Sequence, residues 1–275
     1  MRFRQRLENG RFAVALEILP PQRPLLKVLL RRARLLEGHP QAINVIQRPG
    51  RQTSLDASLL LKGEGIEPAW HLVTRGRTRS ELSADLERAA AGDISQVLCI
   101  LGDHAGSDTA DSPTIKEAVA MTHDALPSAL VGATLNQYGR DQEAVLRNLL
   151  PKLTAGASYV QTQPVFDASV IEPFAIGIER AAPDARIIAM AMPLLTMEAG
   201  ERIEARLGIR LPDSLREVLA VGDQELAWGA FEATIEQLIA TPYINGVAIM
   251  TFEGDAPAEA GARIVSTLRS AGVLD

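Results

Sequence analysis

Cysteine is almost absent from this chain. Among 275 residues there is one, Cys99, so no intramolecular disulfide can form and a metal cluster built on several cysteines is ruled out. Cys99 lies in the apolar run VLCIL, where a buried, inert thiol is expected. Long hydrophobic runs are missing too. No stretch approaches the roughly 20 apolar residues of a membrane helix. The basic start, MRFRQRLENGRFAVALEI, has no unbroken apolar stretch before a small-residue cleavage site, so a signal peptide is not expected. The expected setting is the cytoplasm, with no membrane partner. An excess of positive charge is lacking as well. With 28 basic and 34 acidic side chains the formal net charge is -6, which argues against nucleic acid as a partner. Several catalytic signatures are also missing: a Ser-His-Asp or Cys-His arrangement, a P-loop and an H-E-x-x-H pair. The four histidines are scattered, so no metal site is expected.

What is present is apolar and regularly interrupted. Hydrophobic residues form 47% of the chain, enough for one sizeable core. Eight short apolar runs read as strands: Ala13–Ile18, Ile43–Ile46, Ala69–Val73, Val97–Ile100, Ala129–Thr134, Tyr159–Thr162, Ile187–Met192 and Val247–Thr251. They are nearly continuous rather than alternating, as in strands covered on both faces. Amphipathic segments separate them. Leu25–Leu36 follows Pro24, and Ser58–Lys62 belongs to a second helix. Thr78 and Glu81 form a capping box ahead of LSADLERAAAG. A helix is expected from Ser112-Pro113. Asp141 to Ala155 should end at Gly156, with a kink at Pro151. Ala168 to Ala181 follows, then MEAGERIEARLG, LPDSLREVLA, a long helix over 223–240, and a last one from Pro257 to Ala271.

Eight alternations of strand and helix predict a parallel sheet closed into a (β/α)8 TIM barrel. No G-x-G-x-x-G follows the first strand, which argues against an open dinucleotide-binding sheet. A single domain over 1–275 is expected, with extra helices inserted at about 197–240 before the last strand.

In such a barrel the chemistry lies at the C-terminal strand ends. Glu17, in VALEILPP, sits among apolar residues. Buried there it would be a raised-pKa general acid or the structural partner of an arginine. His71, in WHLVT, is a ligand contact or a core histidine. Asp103, after CILG, emerges at the barrel mouth or caps the next loop. Asn136, Gln137 and Tyr138 follow the fifth strand. Gln161 and Gln163 share one parity on the sixth, with Thr162 on the other face, and an aromatic and Asp167 come next. Thr251, Phe252 and Glu253 end the eighth. Amides and carboxylates without a nucleophile favour redox or group-transfer chemistry on a bound heterocycle over hydrolysis. The arginine clusters in RRARLLEGH and TRGRTRS read as solvated faces or loops, or as the seat of an anionic ligand.

Taken in order, these segments resemble the methylenetetrahydrofolate reductase family. LEILPP is similar to its Glu-Pro-Pro strand, WHLVT to its P-H-L-T, ILGD to its L-R-G-D, and GASYVQTQPVFD to its G-A-x-x-x-x-T-Q-x-x-F-D. AMPLLTMEAGERIEARLGIRLPDSL resembles its Leu-Pro, short helix and I-P turn. The resemblance covers nearly the whole chain. It implies reduction of 5,10-methylenetetrahydrofolate to 5-methyltetrahydrofolate by hydride from NADH or NADPH through bound FAD. Glu17 and Asp103 would be catalytic. Gln161, Gln163, Asn136 and Phe166, with Asp103, would hold the folate. His71, Gly102, Asp103, Arg48, Thr53 and Tyr138 would hold the flavin, with Arg51 beside them. The chain departs from the family pattern on the flavin side. INVIQRPGRQTS has one glycine, Gly50, where the family has a Gly-rich Thr-Tyr-Gly loop. Leu101 replaces the Arg of L-R-G-D, and Leu135 takes an aromatic position. The other reading is therefore a folate-binding or partner-dependent subunit, or a folate-linked methyl-transfer barrel. A homo-oligomer or a partner subunit is compatible with both.

Overall fold

The computed structural model describes residues 2–102, 111–251 and 257–274. Helix α1 (Phe3–Glu8) precedes strand β1 (Ala13–Ile18) and α2 (Leu26–Ala33). Next come β2 (Ala42–Val45), α3 (Ser54–Gly63), β3 (Pro68–Val73), α4 (Arg79–Ala91) and β4 (Gln96–Ile100). The second half runs α5 (Ile115–Ala125), β5 (Leu130–Leu135), α6 (Gln142–Thr154) and β6 (Tyr159–Pro164). A 3-10 turn over Ala168–Ile171 leads into α7 (Glu172–Ala181) and β7 (Arg186–Ala191). Then follow α8 (Met197–Leu207), α9 (Asp213–Val221), α10 (Gln224–Ala240), β8 (Gly246–Met250) and α11 (Ala258–Ser270). The eight strands are parallel and close in sequence order, β8 pairing with β1, so the fold is a TIM barrel.

The continuous apolar character of the strands has a direct cause. On β1, Val14, Leu16 and Ile18 face the helices and join the main core, while Ala13 and Ala15 face the barrel interior. Five interior positions are small: Ala13, Ala15, Ala42, Ala69 and Ala248. Tyr159 and the α1 residues Phe3 and Leu7 fill the space they leave. Phe3 meets Tyr159 edge-on, with centroids 6.2 Å apart. Burying Phe3 and Leu7 contributes about 1.5–3 kcal/mol each, and Arg6 ties α1 to Phe12 O at 2.9 Å and to Val273 O at 3.1 Å. Helix α1 thus stoppers one end of the barrel. The sequence reading has no element before Ala13, because a six-residue helix shows too little periodicity to register.

Gly132 on β5 is where the Tyr159 ring lies, and an added Cβ would overlap that ring. Gly132→Ala is expected to lower stability by roughly 1–3 kcal/mol through overpacking. Urea unfolding measures it, and an unchanged midpoint would mean that the ring moves aside freely.

Helix starts differ from expectation where capping competes with proline. Helix α5 begins after Thr114, whose Oγ1 accepts from Glu117 N at 3.2 Å while Thr114 N donates to Glu117 Oε2 at 2.9 Å. Two backbone donors are satisfied by that box, so Ser112-Pro113 lies ahead of the helix. Ser58–Lys62 belongs to α3 as expected, and the start of that helix at Ser54 is set by Thr53, which accepts from Asp56 N at 3.1 Å. Helix α6 continues through Pro151 to Thr154.

Between β7 and β8, α8 and α9 build a third, smaller apolar cluster. Met192, Leu194, Ile203, Leu211, Leu219 and Ala227 form it, and Phe166 and Met250 pack against it from the strand ends. These helices therefore stand over the C-terminal mouth beside β1.

Candidate functional site

Glu17 follows Ala13 and Ala15 in parity, so its carboxyl enters the barrel. It pairs in register with Asn44 on β2 and Met250 on β8. Only 7% of it is exposed. From across the barrel, Gln161 Nε2 donates to Glu17 Oε2 at 2.9 Å, and Gln161 Oε1 accepts from Asn44 Nδ2 at 2.7 Å. Burial pushes the Glu17 pKa up to about 7, against a smaller pull downward from the Gln161 hydrogen bond and from Arg206 and Arg48. A carboxyl with that value exchanges its proton near neutrality.

The other expected residues fall into three groups. The first lies with Glu17. Arg48 is half-buried and lines, with Glu17, a cavity of about 390 Å³ that also has Arg31, Arg32, Arg206, Met250 and Thr251 on its walls. Gln161 is fully engaged between Glu17 and Asn44. The second group has structural bonds of its own. Gln137 Nε2 donates to Gln163 O at 2.9 Å, and Gln137 Oε1 accepts from Gln163 N at 3.0 Å. Tyr138 donates its hydroxyl to Pro164 O at 2.7 Å, and burial raises its pKa to about 12. Exposed Asn136 accepts from Tyr138 N at 3.2 Å, an Asx turn. Thr53 caps α3, and Arg51 donates to Pro20 O at 3.1 Å. Phe166 belongs to the cluster under α8 and α9.

The third group belongs to β3 and to the segments that follow β3 and β4. His71 is 4% exposed, and burial pushes its pKa down to about 4, so the ring is neutral at pH 7. Its Nε2 and the Oγ1 of Thr74 are buried without a hydrogen-bond partner among the described residues. Gly102 has φ +91°, and a Cβ there would strike Val73 Cγ1 at 2.5 Å, so only glycine fits. Asp103, Phe252 and Glu253 lie outside the described residues.

Gln163 is half-buried at an irregular place. The register between β6 and β7 slips between Gln161 and Pro164. There Met190 N donates to Thr162 Oγ1 at 2.9 Å, and that hydroxyl donates to Gln163 O at 2.7 Å. The alternation expected along β6 therefore ends at Thr162. Sequence reasoning missed two members of the site. Asn44 sat inside an apolar run without a visible partner, and Arg206 sat on a helix face with nothing local to mark it. The cluster containing Arg31 and Arg32 read as a solvated face or loop, or as the seat of an anionic ligand, and both residues line the cavity.

Among the described residues no group of three His, Cys, Asp or Glu side chains could hold a metal ion, and no helix is long and apolar enough to cross a membrane. Cys99 is buried, its pKa raised to about 12 by burial, with Sγ 3.7 Å from Thr122 Oγ1.

A closed parallel barrel with a protonatable carboxyl and an amide chain at its open end defines a TIM-barrel protein with a polar site at the C-terminal strand ends. The family can be named more narrowly. Residues 2–255 match the model for methylenetetrahydrofolate reductase, and the chain belongs to that family. No curated protein matches it by sequence. Among solved structures, it is similar to an uncharacterized protein from Clostridium thermocellum that binds two copies of 5-methyl-5,6,7,8-tetrahydrofolic acid. The TM-score is 0.71 at 14% identity, over 96% of this chain and 97% of that one. The coenzyme F420-dependent tetrahydromethanopterin reductase from Methanopyrus kandleri gives 0.61 at 10% identity, over 94% and 98%. EDTA monooxygenase from Chelativorans sp. BNC1 gives 0.60 at 10% identity, over 96% and 95%. At these identities the likeness is one of fold.

Proposed function

We propose that this protein reduces 5,10-methylenetetrahydrofolate to 5-methyltetrahydrofolate with hydride from NADH or NADPH. The observation that carries the reading is the buried Glu17 carboxyl, with a pKa of about 7 at the open end of the barrel of a methylenetetrahydrofolate reductase family member. Opening the five-membered ring of the substrate to an iminium requires a proton on the leaving nitrogen. Glu17 holds that proton. Gln161 binds one carboxyl oxygen and is itself held by Asn44, so the group is oriented before the substrate arrives. Gln163 offers a donor and an acceptor to the pterin edge. The cavity at Glu17 has apolar walls from Leu16, Ile18 and Met250 beside its polar groups, which suits a flat heterocycle with a polar rim.

The residues at β3 and β4 fit a flavin ring. The unpartnered His71 Nε2 and Thr74 Oγ1 are a buried hydrogen-bonding demand that a polar ring edge would meet. His71 and Gly102, with Arg48 on the neighbouring loop, would hold it. A flavin bound there supplies hydride transfer from the nicotinamide to the substrate carbon. His71, neutral at pH 7, neither adds nor removes charge at such a ring.

A second reading is a folate-binding subunit that depends on a partner for its redox chemistry. The single-glycine loop after β2 and Leu101, 39% exposed where the family has an arginine, favour it.

The test uses the purified full chain incubated with FAD. The expected results are a flavin absorption spectrum retained after gel filtration and NADH or NADPH oxidation dependent on methylenetetrahydrofolate. Folate binding without flavin retention and without turnover would shift the assignment to the subunit reading. Gln163→Ala is expected to weaken 5-methyltetrahydrofolate binding about tenfold, or 1.4 kcal/mol, by loss of a paired hydrogen bond. Calorimetry measures it, and an unchanged Kd would remove Gln163 from the pterin site.

A further inference from the structure

Three polar side chains from three strands meet inside the barrel. Glu17 on β1 and Asn44 on β2 are register neighbours, and Gln161 arrives from β6. Asn44 and Gln161 are each 2% exposed. Asn44 Nδ2 donates to Gln161 Oε1 at 2.7 Å, and Gln161 Nε2 donates to Glu17 Oε2 at 2.9 Å. These hydrogen bonds have a direction, from β2 through β6 to β1. Each end of an amide is fixed as donor or acceptor, whereas a carboxyl is either, according to its proton. An ionised Glu17 accepts from Gln161. A protonated Glu17 can donate to Gln161 from Oε2 only if the amide turns over. With Asn44 in place, that turn sets two N–H groups against each other. Reversing the whole chain requires both buried amides to turn together. Among the described residues the carboxyl accepts one hydrogen bond, on Oε2. Its Oε1 is left to the cavity that Glu17 lines.

We infer that Asn44 is a positioning residue for Glu17: by donating to Gln161 Oε1 it keeps the Gln161 N–H toward Oε2, so that the acid's proton sits on Oε1 and faces the cavity. The role rests on the reading of Glu17 as the general acid. The charges around the carboxyl act on it separately. Arg48 after β2 and Arg206 on α8 pull its proton affinity down. Arg31, Arg32 and Arg34, from α2 and its C-cap, and Glu37 line the same cavity. His71 on β3 is neutral at pH 7. Among the described residues the Gln161 amide bonds to Glu17 and Asn44 alone, so Asn44 is the group that orients it. Removing the Asn44 donor has two effects in the same direction. The Gln161 N–H is no longer polarised by a bond at its carbonyl, so it holds the carboxylate less well. The protonated acid also gains an inward arrangement, Oε2–H to Gln161 Oε1, that the carboxylate cannot use.

The test reads the Glu17 proton directly. The full chain is prepared with isotope-labelled glutamate carboxyls, and the Glu17 signal, assigned by its loss in Glu17→Gln, is followed by NMR against pH. Asn44→Leu should bind the Glu17 proton at least about threefold more tightly than the wild type. Asn44→Ala should shift the titration in the same direction and keeps the measurement possible if leucine prevents folding. In a Gln161→Leu background, adding Asn44→Leu should change proton binding by no more than about 1.5-fold, because Asn44 acts through Gln161. An unchanged titration in folded Asn44→Leu or Asn44→Ala overturns the assignment, as a merely structural residue would lower stability without moving it. A shift of equal size with and without Gln161 also overturns it, since Asn44 would then act on Glu17 directly. With methylenetetrahydrofolate and NADH, Asn44→Leu should lower kcat about tenfold or more and leave KM within about twofold, because the proton is turned away from the substrate. A fall in KM-controlled binding with kcat unchanged overturns the positioning role. A wild type without turnover overturns the reductase reading alone, and the carboxyl titration still decides the role of Asn44.

Discussion

Glu17→Gln is expected to abolish turnover and, at the same time, to yield a more stable protein. Gln has nearly the same shape and can accept the Gln161 hydrogen bond, so the Asn44–Gln161 chain survives. It has no proton to give, and the loss of a general acid lowers kcat by about 10²–10⁴-fold. Folate affinity should change little. The stability effect follows from the pKa of about 7 against 4.5 for the unconstrained carboxyl. The folded value is raised, so the native state binds the proton more tightly than the unfolded chain. The carboxyl's contribution is therefore fully present below pH 4.5 and is lost as pH rises through 7. Above pH 7 the buried carboxylate costs about 3 kcal/mol relative to a group with an unshifted pKa. Glu17→Gln should match the wild type near pH 4.5 and exceed it by up to that amount at pH 8. Urea unfolding at the two values measures it. A difference that does not grow with pH would mean that Glu17 is solvated in the native state. In the wild type, activity that needs the protonated acid should fall as pH rises through about 7.

Gln161→Leu should have the second-largest effect, and in two directions. Its amide satisfies two buried groups, Glu17 Oε2 and Asn44 Nδ2. Leu keeps the volume but leaves both unpaired, which costs roughly 1–3 kcal/mol for each buried polar group left without a partner. The same hydrogen bond holds the Glu17 pKa down, so its loss moves that pKa further up. The alkaline limb of the pH–rate profile should therefore shift upward while kcat falls, because the proton is retained on a carboxyl that is no longer oriented. A purely structural residue would lower activity without moving the limb. An unshifted limb with normal folding would remove Gln161 from the control of Glu17.

Much of the barrel was legible because its signal is local. The run AVALEI is apolar on both faces, and the strand forms over Ala13–Ile18 as read. Thr78 and Glu81 announced α4, and the capping box is there. Where two local signals competed, the stronger set of hydrogen bonds decided, as at Thr114 over Ser112-Pro113. The strand-end position of Glu17 was also legible, since a carboxylate in an apolar run must be either paired or protonated.

By itself the sequence determined an eight-unit barrel and the polar residue types at its strand ends, because apolar period, caps and strand length are encoded over a few neighbouring residues. Only the tertiary structure decided which of these groups meet. Closure of the sheet brings Gln161 of β6 across to Glu17 of β1, and α8 brings Arg206 to the same cavity. It also decided that Gln137 and Tyr138 bond the end of β6 and that Thr53 caps a helix. A polar side chain takes whichever partner lies within about 3 Å, and for these residues the partner is set by strand register and helix placement rather than by neighbours in the chain.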